Sequence, residues 1–115
     1  MFGLAAYFTP VASKADFYTE DRHQRLTRTA KRQLIIARAA LGEPYRAREP
    51  TPSATRPPDG PDGMPLDSVI AVGGGSVNHT EVMLFERFQA LPLCVVTYSH
   101  EEGCACAECG KRPVD

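Results

Sequence analysis

Apolar positions in this chain fall in short runs separated by polar and proline-rich stretches. Residues 4–8, Leu-Ala-Ala-Tyr-Phe, form one such run and read as a buried strand, broken by Thr9 and Pro10. Residues 12–18, Ala-Ser-Lys-Ala-Asp-Phe-Tyr, suit a short helix, with Ser13 as its N-cap and Asp16 as the capping-box partner three residues on. A polar, basic stretch follows to residue 32. Residues 30–42, AKRQLIIARAALG, admit two readings. Ala, Leu and Arg favour a helix stopped by Gly42. Gln33, Ile35 and Ala37 alternating with Leu34, Ile36 and Arg38 equally describe a strand buried on both faces. Propensity alone leans to helix.

Residues 43–65 read as a loop, since they hold seven of the ten prolines and two Asp-Gly steps. A loop of that length within one domain is usually functional or disordered. Three further strands are expected in residues 66–72 (LDSVIAV), 81–85 (EVMLF) and 91–98 (LPLCVVTY), with Gly73-Gly-Gly-Ser76 as a flexible turn. The pattern therefore predicts a β-rich α+β unit with one short helix and a proline-rich excursion.

Composition narrows the function classes. With 115 residues the chain has the size of one domain or a piece of a larger one. A formal net charge of -1 supplies no global attraction to nucleic acid or to anionic membrane, and neither is expected as a partner. No apolar run approaches the length of a spanning helix. The first residues, MFGLAAYFTPVAS, lack the positive start of a signal peptide, and Lys14 and Asp16 follow at once. Cys94 sits in an apolar run while Cys104, Cys106 and Cys109 crowd together. That usage suggests a reducing compartment, hence an intracellular protein, cytoplasmic or nuclear. The packed character of positions 1–8 suggests a truncated domain.

Three blocks in series resemble the catalytic domain of poly(ADP-ribose) polymerases. Residues 2–18, FGLAAYFTPVASKADFY, are similar to the family segment F-G-x-G-x-Y-F followed by Ser-Lys-Ser and a second Tyr. Residues 32–45, RQLIIARAALGEPY, look like the family strand that ends in Leu-Gly. Residues 67–98 resemble its terminal segment, where Glu81 and Gln89 keep a spacing of eight and Leu91-Pro92 leads into the closing strand. Among relatives the tankyrases look most similar. The match covers residues 1–98 and leaves 99–115 as a Cys-rich tail expected to be disordered. It implies an ADP-ribosyltransferase-type two-sheet α+β fold, only its C-terminal half, with residues 31–40 as a strand. The implied activity transfers ADP-ribose from NAD, as co-substrate, to a protein acceptor with release of nicotinamide. The alternative is an inactive, ADP-ribosyltransferase-like binding or scaffold fragment.

The resemblance assigns roles to four residues. Glu81 matches the catalytic carboxylate; on its own residue type it also reads as an exposed glutamate opening a strand. Positive charge develops on the ribose as the nicotinamide bond breaks, as in glycoside hydrolysis, and a carboxylate near the sugar stabilises it. Tyr7 and Tyr18 match the rings that sandwich the nicotinamide, where aromatic faces suit a cationic planar ring. Lys14 matches a lysine at the cleft edge and equally reads as a solvated surface lysine. Several positions depart from the family. Its His-Gly pair is not in this chain, Ala15 replaces a serine that bonds the amide, Ala5 replaces a glycine, and Cys94 replaces a tyrosine. The tankyrase zinc insert, expected between Tyr18 and Lys31, has no cysteines.

Other signals are weaker. His100, Cys104, Cys106 and Cys109 offer donors that zinc prefers, but Cys-x-Cys-x-x-Cys lacks paired Cys-x-x-Cys knuckles, and no metal is expected. Arg22, Arg25, Arg28, Lys31 and Arg32 recur at near-helical spacing and read as a solvated face. His79 reads as an exposed loop residue. A half-domain would leave sheet edges and apolar faces uncovered, which predicts marginal stability.

Overall fold

The computed structural model describes residues 2–19, 26–74 and 77–105. The chain is a small mixed α+β protein: β1 (Ala6–Phe8), α1 (Ala12–Phe17), β2 (Arg32–Ala39), β3 (Pro44–Ala47), β4 (Ser68–Ala71), β5 (Glu81–Leu84), a 3₁₀ turn at Arg87–Gln89, and β6 (Ala90–Tyr98). Four strands form one sheet in the order β1-β5-β4-β3, and β2 with β6 forms a second. Contacts divide the chain into two units, Met1–Val11 with Ala37–Leu91 and Ala12–Ile36 with Pro92–Asp115. None of the described helices is long and apolar enough to cross a membrane.

The first unit is built on alternation. β5 lies between β1 and β4, antiparallel to both, so that Met83 faces Tyr7 on one side and Val69 on the other. β3 adds to β4 in parallel, Tyr45 opposite Val69. Directly opposed residues share a sheet face. One face therefore carries Tyr7, Met83, Val69 and Tyr45, and the buried cluster of Phe2, Val69, Ala71, Val77 and Met83 packs there. Gln89 holds the margin of this unit. Its side-chain amide donates to the Asp67 carbonyl at 2.7 Å and the Ala40 carbonyl at 3.3 Å, and its Oε1 accepts from the Glu86 N–H at 3.0 Å.

Three expectations need correction. The 43–65 segment contains a strand, β3, which pairs in parallel with β4. Proline is tolerated there because Pro44 is the first residue of an edge strand and owes the ladder little. The helix begins at Ala12, so Ser13 lies inside its first turn and is not the N-cap. Thr9 instead closes the turn ahead of it, its hydroxyl oxygen accepting from the Val11 N–H at 3.2 Å. Residues 32–39 are a strand, against helix propensity, but not one buried on both faces: Ile35 and Ile36 are 66% and 50% exposed. The strand persists because pairing with β6 overrides the intrinsic preference of Ala, Leu and Arg.

Candidate functional site

Glu81 opens β5, opposite Ala71 of β4, and is 8% exposed. The loop before it is tied in place at several points. Thr9 donates its hydroxyl to the Thr80 carbonyl at 2.8 Å, the Gly73 N–H donates to the Thr80 hydroxyl oxygen at 3.2 Å, and the Gly74 N–H donates to Val77 at 3.0 Å. A Cβ at Gly73 would lie 3.0 Å from the Asn78 carbonyl oxygen and 3.1 Å from His79 Cα, so glycine lets the loop fold onto itself. His79 is exposed, as its loop position suggested.

Register relates Glu81 to Tyr7. Tyr7 faces Met83, and Glu81 lies two residues before Met83, so all three share one sheet face. Diagonal neighbours of this kind are typically about 7–8 Å apart between strands. The Tyr7 hydroxyl accepts from the Phe2 N–H at 3.0 Å and donates to the Gly3 carbonyl at 2.9 Å, fixing a ring that remains 44% exposed. Beside that ring opens a shallow hollow of about 650 Å³, between Gly3–Tyr7 on one side and Leu84–Arg87 with Ala90 on the other. Glu81 does not line it, because the hollow borders the far end of β5.

Tyr18 and Lys14 belong to the second unit and meet each other there. Lys14 Nζ stands 5.5 Å from the centre of the Tyr18 ring, and Phe17 packs edge-on against that ring with centroids 5.9 Å apart. Tyr18 is 68% exposed, which leaves most of its surface available for stacking. The four residues implied by the resemblance thus form two pairs, Tyr7 with Glu81 and Lys14 with Tyr18, each within its own unit.

The second unit also contains a cluster that sequence reasoning missed. Asp16 is 5% exposed, and its carboxylate accepts a hydrogen bond from the Tyr98 hydroxyl. His100 Nε2 lies 3.1 Å from both carboxylate oxygens, and Arg32 Nε lies 3.7 Å from Oδ1. Arg32 is 2% exposed and donates through Nη2 to the Thr27 carbonyl at 3.0 Å. The solvated face expected for the basic run therefore fails at Arg32: its side chain is buried, bonded to the Thr27 carbonyl and within ion-pair distance of the Asp16 carboxylate. Arg22 and Arg25 lie outside the described residues. Burial, followed by the hydrogen bond and the negative charge of Asp16, pushes the Tyr98 phenol up to about 12. The signal that could have found this cluster is the Tyr-x-His step at the end of β6, which puts both side chains on one side of an extended chain.

Such a cluster ties α1 to the end of β6 and to the segment after it, and its chemistry is charge compensation. The His100 backbone is held as well, its N–H donating to the Arg28 carbonyl at 3.0 Å. His100 Nε2 is thus already committed to a carboxylate, and no group of three metal-binding side chains occurs among the described residues. Cys104 is half-buried, and Cys106 and Cys109 lie outside the described residues. Searches against family models and against curated proteins found no match to this chain.

Proposed function

We propose that this chain carries part of an NAD-dependent ADP-ribosyltransferase site, with Glu81 as its carboxylate and Tyr7 as one ring of the nicotinamide clamp. The observation that supports it is the shared sheet face of Tyr7 and Glu81 on neighbouring strands. A ring and a carboxylate one pleat apart match the needs of the reaction. The phenol face attracts the pyridinium. The carboxylate stabilises the positive ribose left when the nicotinamide nitrogen takes the bonding electrons. The acceptor nucleophile then bonds to the ribose carbon and gives up its proton.

A second reading, a non-catalytic ADP-ribosyltransferase-like binding fragment, draws on one observation: the hollow beside Tyr7 is not lined by Glu81. NAD labelled on its adenylate half separates the two. Under the transferase reading the protein labels itself, and Glu81→Gln lowers the rate on the order of 100-fold or more. NAD binding detected by saturation-transfer NMR without any labelling selects the binding fragment. Neither labelling nor binding at millimolar NAD ends both.

A further inference from the structure

The chain entering β5 is fastened on both sides of Thr80, the residue before Glu81. β1 pairs with β5 as far as Phe8 opposite Val82. One step further the same register sets Thr9 opposite Glu81, and a second step sets Pro10 opposite Thr80. Proline has no N–H, so the main chain of Pro10 cannot donate to the Thr80 carbonyl. A side chain does so instead: the Thr9 hydroxyl donates to that carbonyl at 2.8 Å. Thr9 Oγ1 also accepts from the Val11 N–H at 3.2 Å. A hydroxyl has a single proton to give, and this one is directed at Thr80.

The other flank is fastened as well. β4 pairs with β5 up to Ala71 opposite Glu81, and the Gly73 N–H donates to the Thr80 hydroxyl oxygen at 3.2 Å. Thr80 is thus held by its carbonyl from the β1 side and by its hydroxyl from the β4 side. The Thr80 carbonyl and the Glu81 nitrogen belong to one planar peptide unit. Holding the carbonyl therefore fixes the plane from which the Glu81 Cα and Cβ project. Thr9, Thr80, Glu81 and Tyr7 all lie within the first unit.

We propose that the Thr9 hydroxyl is a positioning group for Glu81: by holding the peptide plane between Thr80 and Glu81, it keeps the carboxylate on the sheet face of Tyr7. Its part in a reaction rests on the transferase reading, whereas the positioning can be measured without NAD.

Thr9→Val keeps the β-branched shape and removes the hydroxyl, while Thr9→Ser keeps the hydroxyl. Three-bond NMR couplings to the Glu81 β-protons report the rotamer of its side chain. One rotamer is expected in the wild type and in Thr9→Ser, and averaged couplings in Thr9→Val. At saturating NAD, Thr9→Val is expected to slow self-labelling roughly 10- to 100-fold with KM unchanged, and Thr9→Ser to restore it. On a Glu81→Gln background Thr9→Val should add no further loss, because the hydroxyl acts through that carboxylate. A wild type that never labels, with a Glu81 rotamer that Thr9→Val releases, ends the transferase reading and supports the positioning. A Glu81 rotamer unchanged in Thr9→Val overturns the proposal, and so does an equal loss of labelling with and without the Glu81 carboxylate. If Thr9→Val fails to fold, the unaltered protein decides. Averaged Glu81 couplings, or a Thr9 hydroxyl proton in fast exchange with water, then overturn the proposal, and one rotamer with slow exchange supports it.

Discussion

Replacing Asp16 with alanine removes the carboxylate that Tyr98 and His100 hydrogen-bond and that lies 3.7 Å from Arg32 Nε. The Arg32 side chain is wholly buried and that of Asp16 is 7% exposed, so the pair lies outside the regime where ion pairs are nearly worthless. Deleting one partner of a buried pair typically costs about 3–5 kcal/mol, because the remaining charge stays desolvated. The hydrogen bond from Tyr98 to a charged group carries about 1.5–3 kcal/mol when taken alone. His100, with a side chain 19% exposed, contributes less. All three act through one carboxylate, so their losses overlap, and the expected total remains about 3–5 kcal/mol. At a urea dependence of roughly 2 kcal/mol per molar, the unfolding midpoint falls by about 2 M. Far-UV circular dichroism and tyrosine fluorescence follow the transition, since the chain has no Trp. Two companions identify the cause. Asp16→Asn keeps an acceptor for Tyr98 and loses the charge, so it falls between wild type and alanine. Asp16→Leu with Arg32→Met removes both charges and recovers the part of the loss that comes from leaving the Arg32 charge uncompensated, because apolar replacement of a buried pair is often neutral or better. A loss under about 1 kcal/mol for Asp16→Ala, or a double variant worse than the single one, refutes the reasoning.

Tyr98 gives a pH test: absorbance at 295 nm should show one phenol ionising near 12. Its folded value is raised above the ordinary 10, so its contribution to stability is complete below pH 10 and is lost as pH rises through about 12. Gln89→Ala strips three hydrogen bonds from a residue that is 7% exposed, and thermal melting should show a loss of about 2–4 kcal/mol. On the transferase reading, Glu81→Met keeps the side-chain length and should lower self-labelling with NAD on the order of 100-fold or more, with far-UV circular dichroism unchanged.

The strands that carry Tyr7 and Glu81 were legible because they are short apolar runs between strong breakers: Thr9-Pro10 after one, a glycine-rich loop before the other. β2 was legible only through resemblance, since residues 30–42 satisfy helix and strand patterns alike, and pairing with β6 decides between them. β3 was hidden by its proline, which is a breaker in a central strand and harmless at the start of an edge. Arg32 and Asp16 were misread for a shared reason. A charged residue in a polar stretch, or three residues after a candidate N-cap, satisfies a local rule, and only tertiary contact shows that it pairs elsewhere. Gln89 was noticed for its spacing from Glu81, but its work of joining the segments at residues 40, 67 and 86 is non-local and leaves no periodic trace.

The two buried carboxylates sit in different units, Asp16 in the second and Glu81 in the first. Asp16 sits among a guanidinium, an imidazole and a phenol, so its charge is compensated by side chains of its own unit. A group so placed holds a structure together and has little left to offer a substrate. Glu81 shares its face with Met83 and Ala71, where an apolar residue would continue the alternation that builds the core. A residue that breaks the local rule of its own strand, at a strand start and one pleat from a half-exposed tyrosine, is where function overriding stability is expected to appear. Removing the Asp16 charge is expected to weaken the fold, and under the proposed transferase reading removing the Glu81 charge is expected to lower self-labelling with NAD.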